Sequence, residues 1–174
     1  MARPAESPSL TGFDLAALAL RVARGGLVPT PEVARSLLVT HATASRSTNR
    51  LRAAGLLDVD NALRPDAALV VLGDALRFYF PPEWTPLARG VRTAHAGPWA
   101  LGTFVANDLV VWPCDEGDDL GQGLMPLFPT VPAAALADAA FWEVASAVEA
   151  VRAGRGRERA AALTFLASRA RAPA

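Results

Sequence analysis

The chain has no lysine, one cysteine and two histidines among its 174 residues. Each scarcity closes off a class of function. A single thiol, Cys114, cannot form an internal disulfide, and no cysteine–histidine set has the spacing of a zinc site. Thiol catalysis needs a low-pKa thiolate beside a positioned base. No base lies near Cys114 in sequence, so a structural or incidental cysteine is expected, and two histidines leave little for acid–base or metal work. Long apolar runs are also missing. The longest, such as residues 15–20 and 67–73, fall far short of the roughly 18–20 residues that span a bilayer. Residues 1–8 are polar and lack the apolar core of a secretory signal. No membrane partner, no cofactor and a cytoplasmic location are therefore expected. The absence of lysine leaves all 17 basic residues as arginine. That suits phosphate contacts, but a GC-rich, alanine-rich coding bias produces the same pattern.

What is present suffices for a folded core: 52% of residues are hydrophobic and 20% charged, which fits one ordinary domain or two small ones. The formal net charge is zero, yet the charges are sorted along the chain. Residues 21–57 hold six arginines against Glu32 alone, a balance of +5. Residues 65–150 hold eleven acids against three arginines, −8, and residues 151–174 return to +5. A neutral average therefore conceals the segregation associated with a nucleic-acid face.

Punctuation and periodicity predict a mainly α fold with a small β component. Thr11 and Asp14 have capping-box spacing. Leu15, Leu18, Ala19 and Val22 then mark one helical face, which Gly25-Gly26 terminates. Thr30-Pro31 opens a second helix with Val33, Ala34, Leu37 and Leu38 on its apolar face. Thr40 caps a third, over residues 41–54, which Gly55 closes. Leu56, Leu57 and Val59 read as a short strand before an Asp60-Asn61 turn. A fourth helix is expected over 66–80, stopped by Pro81-Pro82. Residues 83–130 look irregular, with 109–112 the best strand. Two further helices are predicted over 133–153 and 157–171. The expected organisation is a disordered tail at 1–8, a helix–turn–helix unit with its following helix at 9–80, a Pro/Gly/Trp-rich segment at 81–130 and a C-terminal helical pair within 131–174.

The stretch Thr30-Pro-Glu-Val-Ala-Arg-Ser-Leu-Leu-Val-Thr-His-Ala-Thr-Ala-Ser-Arg-Ser-Thr-Asn-Arg-Leu-Arg-Ala-Ala-Gly-Leu-Leu57 resembles bacterial winged helix–turn–helix transcriptional regulators, including those of MarR type. The resemblance implies double-stranded DNA as partner and residues 41–54 as recognition helix. Arg46 or Arg50 can pair with guanine and Asn49 with adenine, while Thr43 and Ser45 are short phosphate donors. Thr40 caps the helix whose amide end faces the nucleic acid, and His41 lies beside it. Arg52 and Arg64 are candidates for flanking phosphates. Three features depart from the pattern: Leu38 stands where glycine is common, Ser47 and Thr48 point inward, and the wing at 58–62 is short and acidic. An alternative is therefore a protein-interaction module on the same scaffold. A second resemblance, through Phe78-Tyr-Phe-Pro81, Arg89-Gly90, Thr93-Ala94, Val111-Trp-Pro113, Pro126-Leu127 and Gly154-Arg-Gly-Arg-Glu-Arg159, is to the carboxyl half of an uncharacterised bacterial helix–turn–helix family and implies no chemistry.

Elsewhere the residues point away from catalysis, and no enzyme is expected. The acidic run at 115–119 fails the calcium-loop pattern, because its sixth and twelfth positions are Leu120 and Pro126. Gly25-Gly26 and Gly121-Gln-Gly123 lack phosphate-loop spacing. Trp84, Trp99, Trp112, Trp142 and Phe104 suit core or interface anchors, or the walls of a ligand pocket. Arg155, Arg157 and Arg159 crowd a helix N-terminus, against the local dipole, and there call for an external anion, an acidic neighbour or plain solvation. The last helices, with Phe141, Trp142, Val144, Val148 and Val151, are expected either to form a homodimer interface or to pack on the first unit.

Overall fold

The computed structural model describes residues 9–104 and 108–172, so the expected tail at 1–8 lies outside the described residues. The molecule is mainly helical with a small three-stranded sheet. Helix α1 (Gly12–Ala23) is its axis. Its capping box forms as the sequence predicts: Asp14 Oδ2 accepts from the Thr11 amide at 2.7 Å, and Thr11 Oγ1 accepts from the Asp14 amide at 3.4 Å. The expected single apolar face is too narrow, however. Every residue from Phe13 to Val22 is buried, including Asp14 and Arg21, because α1 packs both on the helix over residues 41–53 and on the helices over residues 139–153 and 156–170.

Helix α2 (Thr30–Ser36) begins one residue earlier than expected. Pro29 takes the cap position, its carbonyl accepting from the amides of Glu32 and Val33, and Thr30 contributes no capping bond. Helix α3 (His41–Ala53) is capped as predicted, Thr40 Oγ1 accepting from the Thr43 amide at 3.2 Å. The expected strand at 56–59 reduces to one bridge, Leu57 to Leu63. Val59 lies out in solvent, because the Asp58 carboxylate folds the loop tightly by accepting from the amides of Asp60 and Ala62, both at 2.9 Å. Helix α4 is composite: α-helical over Pro65–Leu69, π-helical over Val70–Ala75 and α-helical again over Leu76–Tyr79.

Residues 83–130 are not irregular. They hold β1 (Trp84–Arg92), β2 (Val110–Pro113) and β3 (Asp119–Leu124). Strand β1 runs antiparallel to both others, β2 and β3 pair in parallel, and the three close on themselves. So small a closed sheet demands backbone contact across its interior. A Cβ at Gly121 would lie 2.5 Å from the Leu109 carbonyl oxygen, and one at Gly123 would collide with Thr85 Oγ1. The inward positions of β3 are thus glycines, which erase the alternation by which a strand is recognised.

Three helices, not two, complete the chain: α5 (Val131–Ala137), α6 (Ala139–Ala153) and α7 (Gly156–Ala170). The break falls at Asp138, whose Oδ1 accepts from the Phe141 amide at 3.1 Å. Helix α6 packs on α1, with Phe141, Val144, Val148 and Val151 fully buried. These side chains therefore belong to the chain's own core and are not available to a second copy. Trp112 Nε1 donates to the buried Glu149 at 3.2 Å, and Arg152 Nε donates to its other oxygen at 2.6 Å. Burial pushes the Glu149 carboxyl above its ordinary pKa although Arg152 pulls it down. One contiguous core runs from Phe13 to Ala170.

Candidate nucleic-acid interface

Helices α2 and α3 are joined by Leu37–Thr40, and the geometry of that turn decides how α3 is presented. The Val39 amide donates to the Ala34 carbonyl at 2.9 Å and the Leu38 amide to Arg35 at 3.3 Å, the bond pair of a Schellman ending. Helices α1 and α3 close in the same way with Gly25 (φ 76°) and Gly55 (φ 75°) in the left-handed position. In α2 that position belongs to Leu38, at φ 56°. The conformation turns its side chain away from the α2 face on which the sequence places it, leaving it 54% exposed. Below the turn, Leu37 stays in the core, and its carbonyl accepts from Thr130 Oγ1 at 2.6 Å.

Helix α3 rests on α1 and α2. Ala44, Ser47, Thr48 and Leu51 face inward, as expected. Thr48 Oγ1 back-bonds to the Ala44 carbonyl at 3.0 Å and accepts from Arg21 Nη2, also at 3.0 Å. Arg21 is fully buried, with Nη1 on the Ala17 carbonyl at 3.1 Å and Nε without a partner. Burial lowers its pKa to about 10.

The residues expected to meet DNA fall into three groups. Thr40, His41, Arg46, Asn49, Arg52 and Arg64 are exposed, and Thr43 and Ser45 are half-buried beside them. Arg46 is steered along the helix by a 3.4 Å bond to Thr43 Oγ1. Arg52 reaches the loop after α3, its Nε and Nη2 donating to Asn61 Oδ1 at 3.0 and 2.6 Å. Arg50 behaves differently. Its Nε and Nη2 donate to the two oxygens of Asp14, each at 2.8 Å, so the guanidinium edge that would read guanine is occupied inside the protein. Burial pushes the Asp14 carboxyl up, but the hydrogen bonds from Arg50 and Thr11 help to outweigh it and hold the group below the ordinary 3.8.

Sequence spacing could not reveal that exchange, since 36 residues separate the partners. It also passes over Arg35, exposed in the last turn of α2 and adjoining the turn into α3. Residues 33–57 contain four arginines and no acid. With Arg50 neutralised by Asp14, the cations left outward are Arg35, Arg46 and Arg52, with Arg64 just beyond the loop. The nearest acids in sequence are Glu32, which pairs with Arg24 at 3.4 Å, Asp58, which spends Oδ1 on loop amides, and Asp60 at the tip.

Other candidates resolve into structural roles. Cys114 donates its thiol to Glu116 at 2.9 Å, and burial together with that carboxylate raises its pKa, the reverse of an activated thiolate. Asp119 pairs with Arg92 at 2.7 Å. No group of three or more metal-ligating side chains converges among the described residues, and no described helix is long and apolar enough to cross a membrane. Trp99, Trp112 and Trp142 donate to Ala94, Glu149 and Arg92 respectively. Only Trp84 and Phe104 of the aromatic set line the large open cleft of about 1140 Å³. Arg155 and Arg157 border that cleft together with Asp108 and Glu158, so its rim carries both signs. The rest of the tail's positive charge is met internally: Arg169 pairs with Glu143, Arg171 with Asp66 at 2.9 Å, and Arg159 donates to the Gly73 carbonyl at 3.3 Å.

No protein-family model, curated protein or solved structure matches the chain.

Proposed function

We propose, from the chain's own geometry, that the protein is a non-enzymatic transcriptional regulator that binds double-stranded DNA. In this view residues 30–63 act as a winged helix–turn–helix with α3 in the major groove. One observation carries the proposal. The solvent face of α3 offers Arg46, Asn49 and His41 with Arg52 at its end, and no carboxylate stands on that helix. Arg46 is placed to take guanine and Asn49 adenine, each in bidentate fashion. Thr43 and Ser45 serve phosphates beside them, and Arg35, Arg52 and Arg64 neutralise phosphates at the edges. Arg50 moves from reading bases to holding α3 on α1, so the specificity of the helix rests on Arg46 and Asn49.

A protein-interaction module is the second possibility, favoured by the short loop that puts Asp60 in solvent next to the cationic helix. Salt separates the two. Four arginine–phosphate contacts should weaken DNA binding about a hundredfold for a fourfold rise in salt, and an apolar interface should hardly respond. The test is fluorescence anisotropy of labelled genomic duplexes with the wild type and with Arg46→Ala/Asn49→Ala. Binding that is salt-sensitive and lost in the double variant supports DNA recognition by α3. Absence of wild-type binding at low salt, or equal binding by the variant, rejects it.

A further inference from the structure

The most exposed aromatic side chains of the described chain stand together at the end of α4. Phe78 is 75% and Tyr79 79% exposed, with Val70 at 57% one helical segment earlier. Clustered exposure of this kind marks an interaction surface, whereas scattered apolar residues do not. Beside these side chains lies an apolar hollow of about 450 Å³, walled by Leu10, Leu15, Val71, Ala75, Leu76 and Phe80. Protrusion and hollow are thus carried by the same helix. Asp74 and Arg77 are exposed on α4 as well. Neither has an ion-pair partner among the described residues, and Arg77 lies 5.5 Å over the Phe78 ring.

A patch with a knob, a hollow, one anion and one cation is self-complementary under a two-fold axis, where residue i meets j and j meets i. Antiparallel pairing of α4 with another α4, about an axis near Ala75 and Leu76, sets Asp74 of each copy against Arg77 of the other. The same operation lays each Phe78 over the other copy's hollow. We propose that α4 is a homodimer interface and that the occupant of its aromatic face is a second copy of this chain. The charge pair is the argument for that occupant, because it is satisfied twice by one symmetry operation. Ser9 lines the hollow, and the eight residues before it in sequence offer Met1 and two alanines as apolar side chains among Arg, Glu, Ser and two prolines.

This proposal goes beyond DNA binding and stands without it, since the measurement uses no nucleic acid. Sedimentation equilibrium of the full chain between about 1 and 100 µM should give a reversible dimer whose population follows concentration. Phe78→Ser/Tyr79→Ser, at exposed positions, should raise the dimer dissociation constant at least about a hundredfold, as loss of central aromatic anchors does. Asp74→Arg alone and Arg77→Asp alone should each raise it about tenfold by setting like charges together. An equimolar mixture of the two charge variants should recover a heterodimer of near wild-type affinity, because opposite charges then meet on both sides of the axis. Circular dichroism of each variant confirms that the fold is kept. A wild type that stays monomeric at the highest concentration overturns the proposal. So does a dimer indifferent to these substitutions, or one that forms only after removal of residues 1–8, which would make that segment the occupant.

Discussion

Arg50 and Arg21 are both drawn out of solvent in the N-terminal half, and they act on stability in opposite directions. Asp14 is fully buried and accepts two bonds from Arg50. Arg50→Ala therefore strands a carboxylate in the core and should cost about 3 kcal/mol in urea unfolding. Asp14→Asn added to it should restore part of the loss. Because the folded pKa of Asp14 is depressed, its contribution is in place above the ordinary 3.8 and disappears as pH falls through the lower folded value. The wild-type advantage over Arg50→Ala should shrink across that acid range. Arg21 is the converse case. Its folded pKa of about 10, well below that of a solvated guanidinium, means that burying the cation costs roughly 3 kcal/mol at neutral pH. That cost is relieved only as pH rises through 10 toward the unfolded value. Arg21→Met should raise stability by about 1–3 kcal/mol, because Thr48 keeps its bond to Ala44 and no buried group loses an essential partner. A urea midpoint below wild type would show that Arg21 is required where it lies. These pairings were not legible in sequence. The capping box was, since Thr11 and Asp14 are three residues apart; the second task of Asp14 depends on a contact from another helix.

Elements were legible wherever their punctuation is local. Thr40, Gly25, Gly55 and Pro81-Pro82 mark helix ends correctly, and Ala44 and Leu51 mark the inner face of α3. The sheet was hidden because its inward residues are Gly121 and Gly123, and because β1 carries Pro86 where its register shifts between Thr85 and Leu87. Glycine and proline read as loop signals unless the strands they let approach are known. Gly123→Val should cost at least about 2 kcal/mol, since its side chain meets Thr85 and the Pro86 carbonyl. The variant's urea midpoint measures that loss. The turn before α3 offers the reverse experiment. Leu38 holds φ 56° without packing in the core, so Leu38→Gly should stabilise by about 1 kcal/mol through relief of the left-handed strain. Thermal unfolding checks the sign, and a lower melting temperature would mean that the exposed leucine makes a contact worth more than its strain.

At the scale of the whole molecule, the charged groups divide into those paired with one another along the chain and those left without an ion-pair partner among the described residues. The acidic middle and the arginine-rich tail meet each other within the fold, through Glu149 with Arg152, Glu143 with Arg169 and Asp66 with Arg171. The first arginine-rich stretch behaves otherwise. Arg50 is consumed by Asp14 and Arg24 by Glu32 and Asp138, while Arg35, Arg46, Arg52 and Arg64 keep their charge at the surface on and around α3. The segregation seen in the sequence thus narrows to four cations, and under the proposed reading each phosphate contact they form adds to the salt dependence of binding. The central claim is that α3 is the surface those cations serve. It is tested most directly by amide chemical-shift mapping of the labelled protein as a DNA duplex is added at low salt. Shifts should concentrate in residues 40–53 and at Arg35 and Arg64, vanish as salt is raised, and leave β2 and β3 unmoved. A duplex that shifts no amide, or only those outside α2, α3 and the following loop, would contradict it.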